Sequence, residues 1–122
     1  MVNPSIRHVV KRDGQIAPFN REKILNALRK AFNASDLEND DLAKKISNKV
    51  IQNLSKLSQD HIPSIEDIQD QVEKTLISEG LDEIAKVYII YRNKRAEARH
   101  AKNLVGVHDD LKLSVNAAVV LQ

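Results

Sequence analysis

Residues 9–24 read VVKRDGQIAPFNREKI, and this stretch decides the fold of the N-terminal part of the chain. The β-branched residues predict a short strand over 6–11, and the segment after the turn can pair back onto that strand. Asp13 and Gly14 supply the positive-φ residues that a tight hairpin turn needs. Asn20 is a good helix N-cap, and apolar residues follow it at helical spacing. The stretch therefore predicts a β-hairpin that runs directly into a helix.

Three further helices are predicted along the chain. The first begins near Asn39, and the second opens at Ser64, where the sequence SIED resembles a capping box with Asp in place of Glu or Gln. Gly80 is a natural residue to end that helix, and the last helix begins at about Leu81. The apolar positions at helical spacing predict a mostly aliphatic core, formed by Ile24, Leu25, Leu28, Ala31, Phe32, Leu42, Ala43, Ile46, Val50, Ile51, Leu54, Leu57, Ile65, Ile68, Val72, Leu76, Ile77, Ile84, Val87, Tyr88, Ile90 and Tyr91.

These elements predict an α+β fold. A small N-terminal β-hairpin, with room for a third short strand, lies over a four-helix bundle. A break is predicted at 105–107, and residues 109–122 are predicted to start a further amphipathic helix, which gives the chain a C-terminal helical tail.

Composition restricts the chemistry that these residues can perform. The 122 residues contain no cysteine, which excludes disulfides, thiolate metal sites and thiol catalysis within them. The four histidines lack the spacing of a metal site, so we expect neither metal ligands nor catalytic residues. No apolar run is long enough to cross a membrane and no signal peptide is evident, so we expect a cytoplasmic protein without a membrane partner.

The charge of the chain is segregated although its net value is only +2. Residues 1–30 hold seven basic residues against two acidic ones, and residues 85–102 hold six against one. Lys11 lies at the end of the first strand and Lys23 in the first turn of the helix, and we expect the connection at 18–20 to bring them close together, where a phosphate would meet lysines and a helix N-terminus. Arg12 is a weaker candidate because successive strand residues face opposite sides. The competing interpretation of the basic pair is a solvated hairpin tip.

In their order, these features resemble the ATP-cone, a small regulatory nucleotide-binding domain best known at the N-terminus of ribonucleotide reductases. The apolar strand, the KRDG turn, the PFN connection and the KI helix start carry the resemblance, and VYIIYRNKRAE at 87–97 looks like the closing helix of the family. The resemblance implies ATP or dATP as an allosteric effector, together with Mg²⁺. The nucleotide contacts that it implies come from Val9, Lys11, Asn20 and Lys23, with Arg12 secondary and Arg92 or Arg95 from the last helix.

One position departs from the family pattern. Ala17 stands where some cones carry a carboxylate that touches the nucleotide, and its methyl group makes no polar contact. The resemblance therefore implies phosphate binding more directly than base or ribose recognition.

The end of the sequence carries a second resemblance. Residues 105–121 look like the segment that joins the cone to the catalytic barrel in adenosylcobalamin-dependent (class II) ribonucleotide reductases. The two resemblances imply a cone at 1–100 and, at 101–122, a linker and the start of a helix leading to a catalytic domain that this sequence lacks.

The implied function is allosteric control of the activity and oligomeric state of a ribonucleotide reductase. Adenosylcobalamin would bind only in the parent enzyme. The implied partners are the reductase catalytic domain or subunits and further copies of the chain.

Two other functions stay open at this point. A cone joined to a zinc ribbon would be a transcriptional regulator of reductase genes, but the ribbon needs four cysteines that the sequence lacks. Nucleic acid is therefore not an expected partner, although the basic fourth helix could contact DNA. A degenerate cone that acts only as a protein-interaction module is the other alternative, and Ala17 favours it.

Overall fold

The computed structural model describes residues 6–106, with side chains described as far as residue 102. The chain divides into two compact units, Met1–Ile89 and Ile90–Gln122, and each is described by itself. The predicted α+β fold is confirmed, with one antiparallel hairpin and four helices in the described part of the chain. The helix predicted over 109–122 lies outside the described residues.

The hairpin consists of β1 (His8–Val10) and β2 (Ile16–Pro18), with Val9 opposite Ala17. Its turn is longer than predicted. The Gly14 N–H donates to the carbonyl of Lys11 over 2.9 Å, and the Lys11 N–H donates to the carbonyl of Gln15 over 2.7 Å.

Of the two turn residues predicted to have positive φ, Gly14 does (φ 88°) but Asp13 does not. The reason is that a three-residue loop, here residues 12–14, forms a type I turn followed by a glycine bulge and needs one left-handed residue, whereas a two-residue type I′ turn needs two. Asp13 contributes through its side chain instead, because its Oδ1 accepts from the Gln15 N–H over 2.9 Å. The prediction for Asp13 was wrong.

A third strand is reduced to a single bridge in the described residues. Val10 pairs in parallel with Ser64, and its N–H donates to the carbonyl of Pro63 over 2.9 Å. The pairing stops there because Pro63 has no N–H to donate and Ser64 already begins a helix. This bridge fixes β1 against the connection between the second and third helices.

The four helices predicted between residues 20 and 100 are all present. Asn20, Asn39 and Ser64 are N-caps of the first three helices, as predicted, and Ser64 forms the predicted capping box with Asp67. Gly80, with φ 77°, follows the third helix. The helices are α1 (Arg21–Ala34), α2 (Asp40–Leu57), α3 (Ile65–Ser78) and α4 (Asp82–Gly106), of which the part of α4 up to Ile89 belongs to the first unit.

The core of the first unit is aliphatic, as the composition predicts. Its fully buried residues lie on the predicted helix faces, and the largest of them include Leu28, Ile46, Val50, Leu54, Val72 and Leu76. Three predicted core residues are exposed: Leu57, Ile77 and Ile90. Ile77 and Ile90 lie beside the apolar stripe of their helices, since neighbouring helix positions differ by about 100° around the axis, whereas Leu57 lies on the stripe but is the last residue of α2. No helix among the described residues is long and apolar enough to span a membrane.

Candidate nucleotide site at the hairpin–helix junction

The hairpin places Val9 and Lys11 on the same side of β1. Val9 is 7% exposed, and Lys11, immediately after the strand, is exposed. Residues two apart on a strand share a face, so the apolar Val9 side chain and the Lys11 ammonium lie on one surface of the hairpin. An apolar contact beside a cation suits a ligand with a flat ring and a phosphate.

The start of α1 supplies the second half of the candidate site. The Asn20 side-chain oxygen accepts from the Glu22 N–H over 2.9 Å, so this oxygen is occupied in capping the helix. Lys23 is the third residue of α1 and is exposed. A lysine there meets the positive end of the helix dipole, an arrangement that becomes favourable when an anion binds between them.

Lys11 and Lys23 share a further property. Within residues 6–102, neither ammonium has a hydrogen-bond or ion-pair partner. Both lysines are therefore available to an anion, with no internal carboxylate to displace first.

Arg12 is engaged differently. Its Nη1 forms an ion pair with Glu66 Oε2, and its Nη2 donates to Gln69 Oε1 over 3.2 Å. The Arg12 guanidinium therefore lies against the first turns of α3. Glu66 and Gln69 did not feature in the sequence-based site because they lie 54 and 57 residues from Arg12, and no local pattern links such distant positions.

The two arginines predicted from the last helix belong to the second unit. Arg95 Nη1 lies 3.5 Å from the Tyr91 hydroxyl, and its guanidinium carbon is 5.8 Å from the centre of the Tyr91 ring, a cation–π arrangement. Arg92 is half-buried and has an interaction partner. The nucleotide-binding roles of both arginines stay predictions.

Two open grooves are present in the first unit, and neither contains Lys11 or Lys23. One, of about 340 Å³, lies between the end of α1 and the start of α2 and is crossed by the Arg29–Asp40 ion pair. The other, of about 420 Å³, lies between Arg7–His8 and the end of α2. We place the candidate site at the lysines rather than in these grooves, because uncompensated cations point to a phosphate more directly than concavity does.

No group of three or more His, Asp or Glu side chains in the described part of the chain could hold a metal ion. A magnesium ion at this site would therefore need the phosphate oxygens of a nucleotide as its main ligands.

Comparison with known proteins gives the family. A family model described as the ATP cone domain matches residues 7–97. The chain belongs to the ATP cone domain family. This membership supports an allosteric regulatory role for the cone in general terms.

Relatives of this ATP cone include several reductases. The chain is 41% identical over 122 residues to the vitamin B12-dependent ribonucleoside-diphosphate reductase of Thermoplasma acidophilum, covering 96% of the chain and 16% of that protein. It is 42% identical over 114 residues to the protein of the same name from Mycobacterium tuberculosis, covering 93% and 16%. It is 34% identical over 120 residues to the ribonucleoside-diphosphate reductase subunit alpha of Chlamydia pneumoniae, covering 88% and 12%. The chain thus spans about one sixth or less of the length of these relatives.

Proposed function

We propose that this ATP cone binds ATP and dATP and thereby controls the activity and oligomeric state of a ribonucleotide reductase. In this proposal residues 1–100 are the regulatory domain and residues 101–122 lead towards a catalytic domain. The observation that carries the proposal is that Lys11, in the hairpin turn, and Lys23, in the first turn of α1, have no ion-pair partner among the described residues of a chain that matches the ATP cone model over residues 7–97.

The proposed contacts follow from the chemistry of the side chains. Lys11 and Lys23 bind the phosphates, and the N-terminus of α1 adds its dipole. The amide group of Asn20, whose oxygen already caps α1, can still donate, and Val9 packs against the base. The nucleotide contact that the family resemblance implies for Arg92 or Arg95 stays a prediction. A Mg²⁺ ion accompanies the phosphates and screens their charge.

The proposed regulation is a change in assembly. An effector shifts an equilibrium only by its difference in affinity for the two states, so ATP and dATP must favour different arrangements of cone and partner subunits. The partners are the reductase catalytic domain or subunits and further copies of the chain, in the cytoplasm. Any adenosylcobalamin chemistry belongs to the proposed parent enzyme, since these residues have only regulatory roles in the proposal.

Titration calorimetry of the 122-residue chain with ATP, dATP and GTP tests the binding step. We expect micromolar binding of the two adenine nucleotides. Lys11→Ala and Lys23→Ala should each weaken binding by roughly tenfold to a hundredfold, because each removes a charge-assisted contact worth about 1.5–3 kcal/mol. Lys74→Ala is the matched control, since Lys74 is an exposed lysine on α3 away from the hairpin, and it should leave the affinity unchanged.

Two results would contradict the proposal. Absence of heat with both adenine nucleotides would favour a cone that acts only as an interaction module. Binding of duplex DNA that persists at high salt would favour the transcriptional regulator, because nonspecific phosphate contacts weaken steeply as salt is added.

A further inference from the structure

Arg12 connects the tip of the hairpin to α3. Of the turn residues 11–15, it is the one whose side chain forms a hydrogen bond or ion pair with another element within the described part of the chain, through Glu66 and Gln69. We propose that Glu66 and Gln69 are positioning residues that, through Arg12, latch the hairpin tip onto α3. Arg12 then affects nucleotide affinity by holding the hairpin closed and not by binding phosphate. This inference rests on the proposed function only for its effect on affinity.

The two partners of Arg12 are placed to hold it together. Glu66 and Gln69 are three residues apart on α3 and so lie on one face, one turn from each other. Each takes a different terminal nitrogen of the guanidinium, and the planar fork of an arginine fits two acceptors side by side. A lysine at this position could not make both contacts with the same geometry.

The backbone supports the same junction. The Val10 N–H donates to the Pro63 carbonyl over 2.9 Å, and Val10 bridges to Ser64, directly before α3. The backbone contacts hold β1 beside the start of α3 as far as Val10. The hydrogen bonds of the Arg12 side chain then hold the turn that follows against the same helix.

Charge separates the roles of the three basic residues near the turn. Glu66 neutralises Arg12, whereas Lys11 and Lys23 have no such counter-ion in the described residues. A phosphate would have to take Arg12 away from a charged partner, but it could approach the two lysines without breaking an ion pair. The lysines are therefore the better phosphate ligands, and Arg12 is the better latch.

The exposure of the pair makes the latch reversible. The side chains of Arg12 and Glu66 are 31% and 57% exposed, and ion pairs at such exposure stabilise only weakly. A weak, solvent-accessible tie suits a tip that must open to admit a ligand and close over it again. We expect its loss to change the closed population by only a few fold.

A charge swap tests the latch in two independent ways. Amide hydrogen exchange of residues 12–16 measures tip opening without nucleotide, and calorimetry with ATP measures affinity. Arg12→Glu and Glu66→Arg should each speed tip exchange by about threefold and weaken ATP binding by a similar factor, because like charges then face each other. The double variant Arg12→Glu/Glu66→Arg re-forms the pair in reverse and should restore most of both properties.

The outcomes separate the latch from the phosphate role. Restored exchange protection with ATP affinity still lost would show that Arg12 binds phosphate and would overturn the proposal. Failure of the swap to restore either property would overturn it as well. Glu38→Arg, which changes the charge equally at an exposed site outside the hairpin, should leave both readouts unchanged. If the wild-type chain bound no ATP, the proposed function would fail, while the exchange measurement would still decide whether the latch exists.

Discussion

Leu54 and Leu57 are the same residue type on the same helix, yet their surroundings differ completely. Leu54 is 1% exposed in the core, whereas Leu57, the last residue of α2, is 61% exposed. We expect Leu54→Ala to lower the free energy of unfolding by about 2–5 kcal/mol through lost burial and a cavity. Leu57→Ala should change it by no more than about 0.5 kcal/mol. Urea unfolding of both variants checks this, and similar losses at the two positions would contradict the burial difference.

This pair also shows where residue-level prediction stops. Helical spacing correctly placed Leu28, Ile46 and Leu54 in the core, because their periodicity is strong and unbroken. The same spacing also placed Leu57 in the core, since a periodic pattern indicates which side of a helix a residue faces and not whether a neighbouring element covers that end of the helix. Covering depends on tertiary packing, which the spacing of residues along one helix does not encode.

At the scale of the elements, the N-cap of α3 joins the helix to the hairpin. The Ser64 hydroxyl accepts from the Asp67 N–H over 3.0 Å, and the Ser64 N–H donates to Asp67 Oδ2 over 2.9 Å. We expect Ser64→Ala to destabilise the chain by about 1 kcal/mol, because an N–H in the first turn of α3 loses its acceptor. Ser64→Asp keeps an acceptor and should retain most of the stability. Thermal unfolding followed by circular dichroism measures both, and an unchanged stability of Ser64→Ala would show that the cap contributes nothing.

Some features of the elements could be predicted from the sequence, and others could not. The capping box was predicted because its two residues are three positions apart, and the hairpin because strand, turn and helix cap follow one another within residues 9–24. The contact between Arg12 and Glu66 was not predicted, since it depends on how β1 docks beside α3. For the candidate site, the positions of Lys11 and Lys23 on the hairpin and on α1 were predicted from local sequence, whereas the diversion of Arg12 to α3 required the tertiary structure.

Two ion pairs tie the helices of the first unit to one another. Arg29 on α1 donates two hydrogen bonds, of 2.6 and 3.0 Å, to Asp40 at the start of α2. Lys49 on α2 donates to Glu79, at the end of α3, over 2.5 Å. The hydrogen bond from Arg29 is the largest cause that lowers the pKa of Asp40 below its ordinary value, and the hydrogen bond from Lys49 does the same for the pKa of Glu79. The folded state therefore holds both carboxylates in their charged form.

These shifts predict the direction in which stability depends on pH. A carboxyl group with a lowered pKa in the folded state stabilises that state above its unfolded pKa, about 4, and the stabilisation is lost as pH falls through the lowered value. The unfolding midpoint should therefore fall as the pH drops from about 5 to 3, because the unfolded chain binds more protons there. The raised pKa of Arg29 has no effect in this range, since the group stays protonated throughout.

Neutral variants separate the two ion pairs from the general effect of acid. Asp40→Asn and Glu79→Gln should each lower the unfolding midpoint at pH 7 and flatten its decline between pH 5 and 3, because the variant lacks the ion-paired carboxylate whose pKa is lowered in the folded state. Asp41→Asn is the matched control, since Asp41 also lies in the first turn of α2 but has no ion-pair partner among the described residues. Urea unfolding across this pH range measures the slopes. If the unfolding midpoint declined between pH 5 and 3 as steeply in both variants as in the wild type, neither ion pair would link the helices in solution.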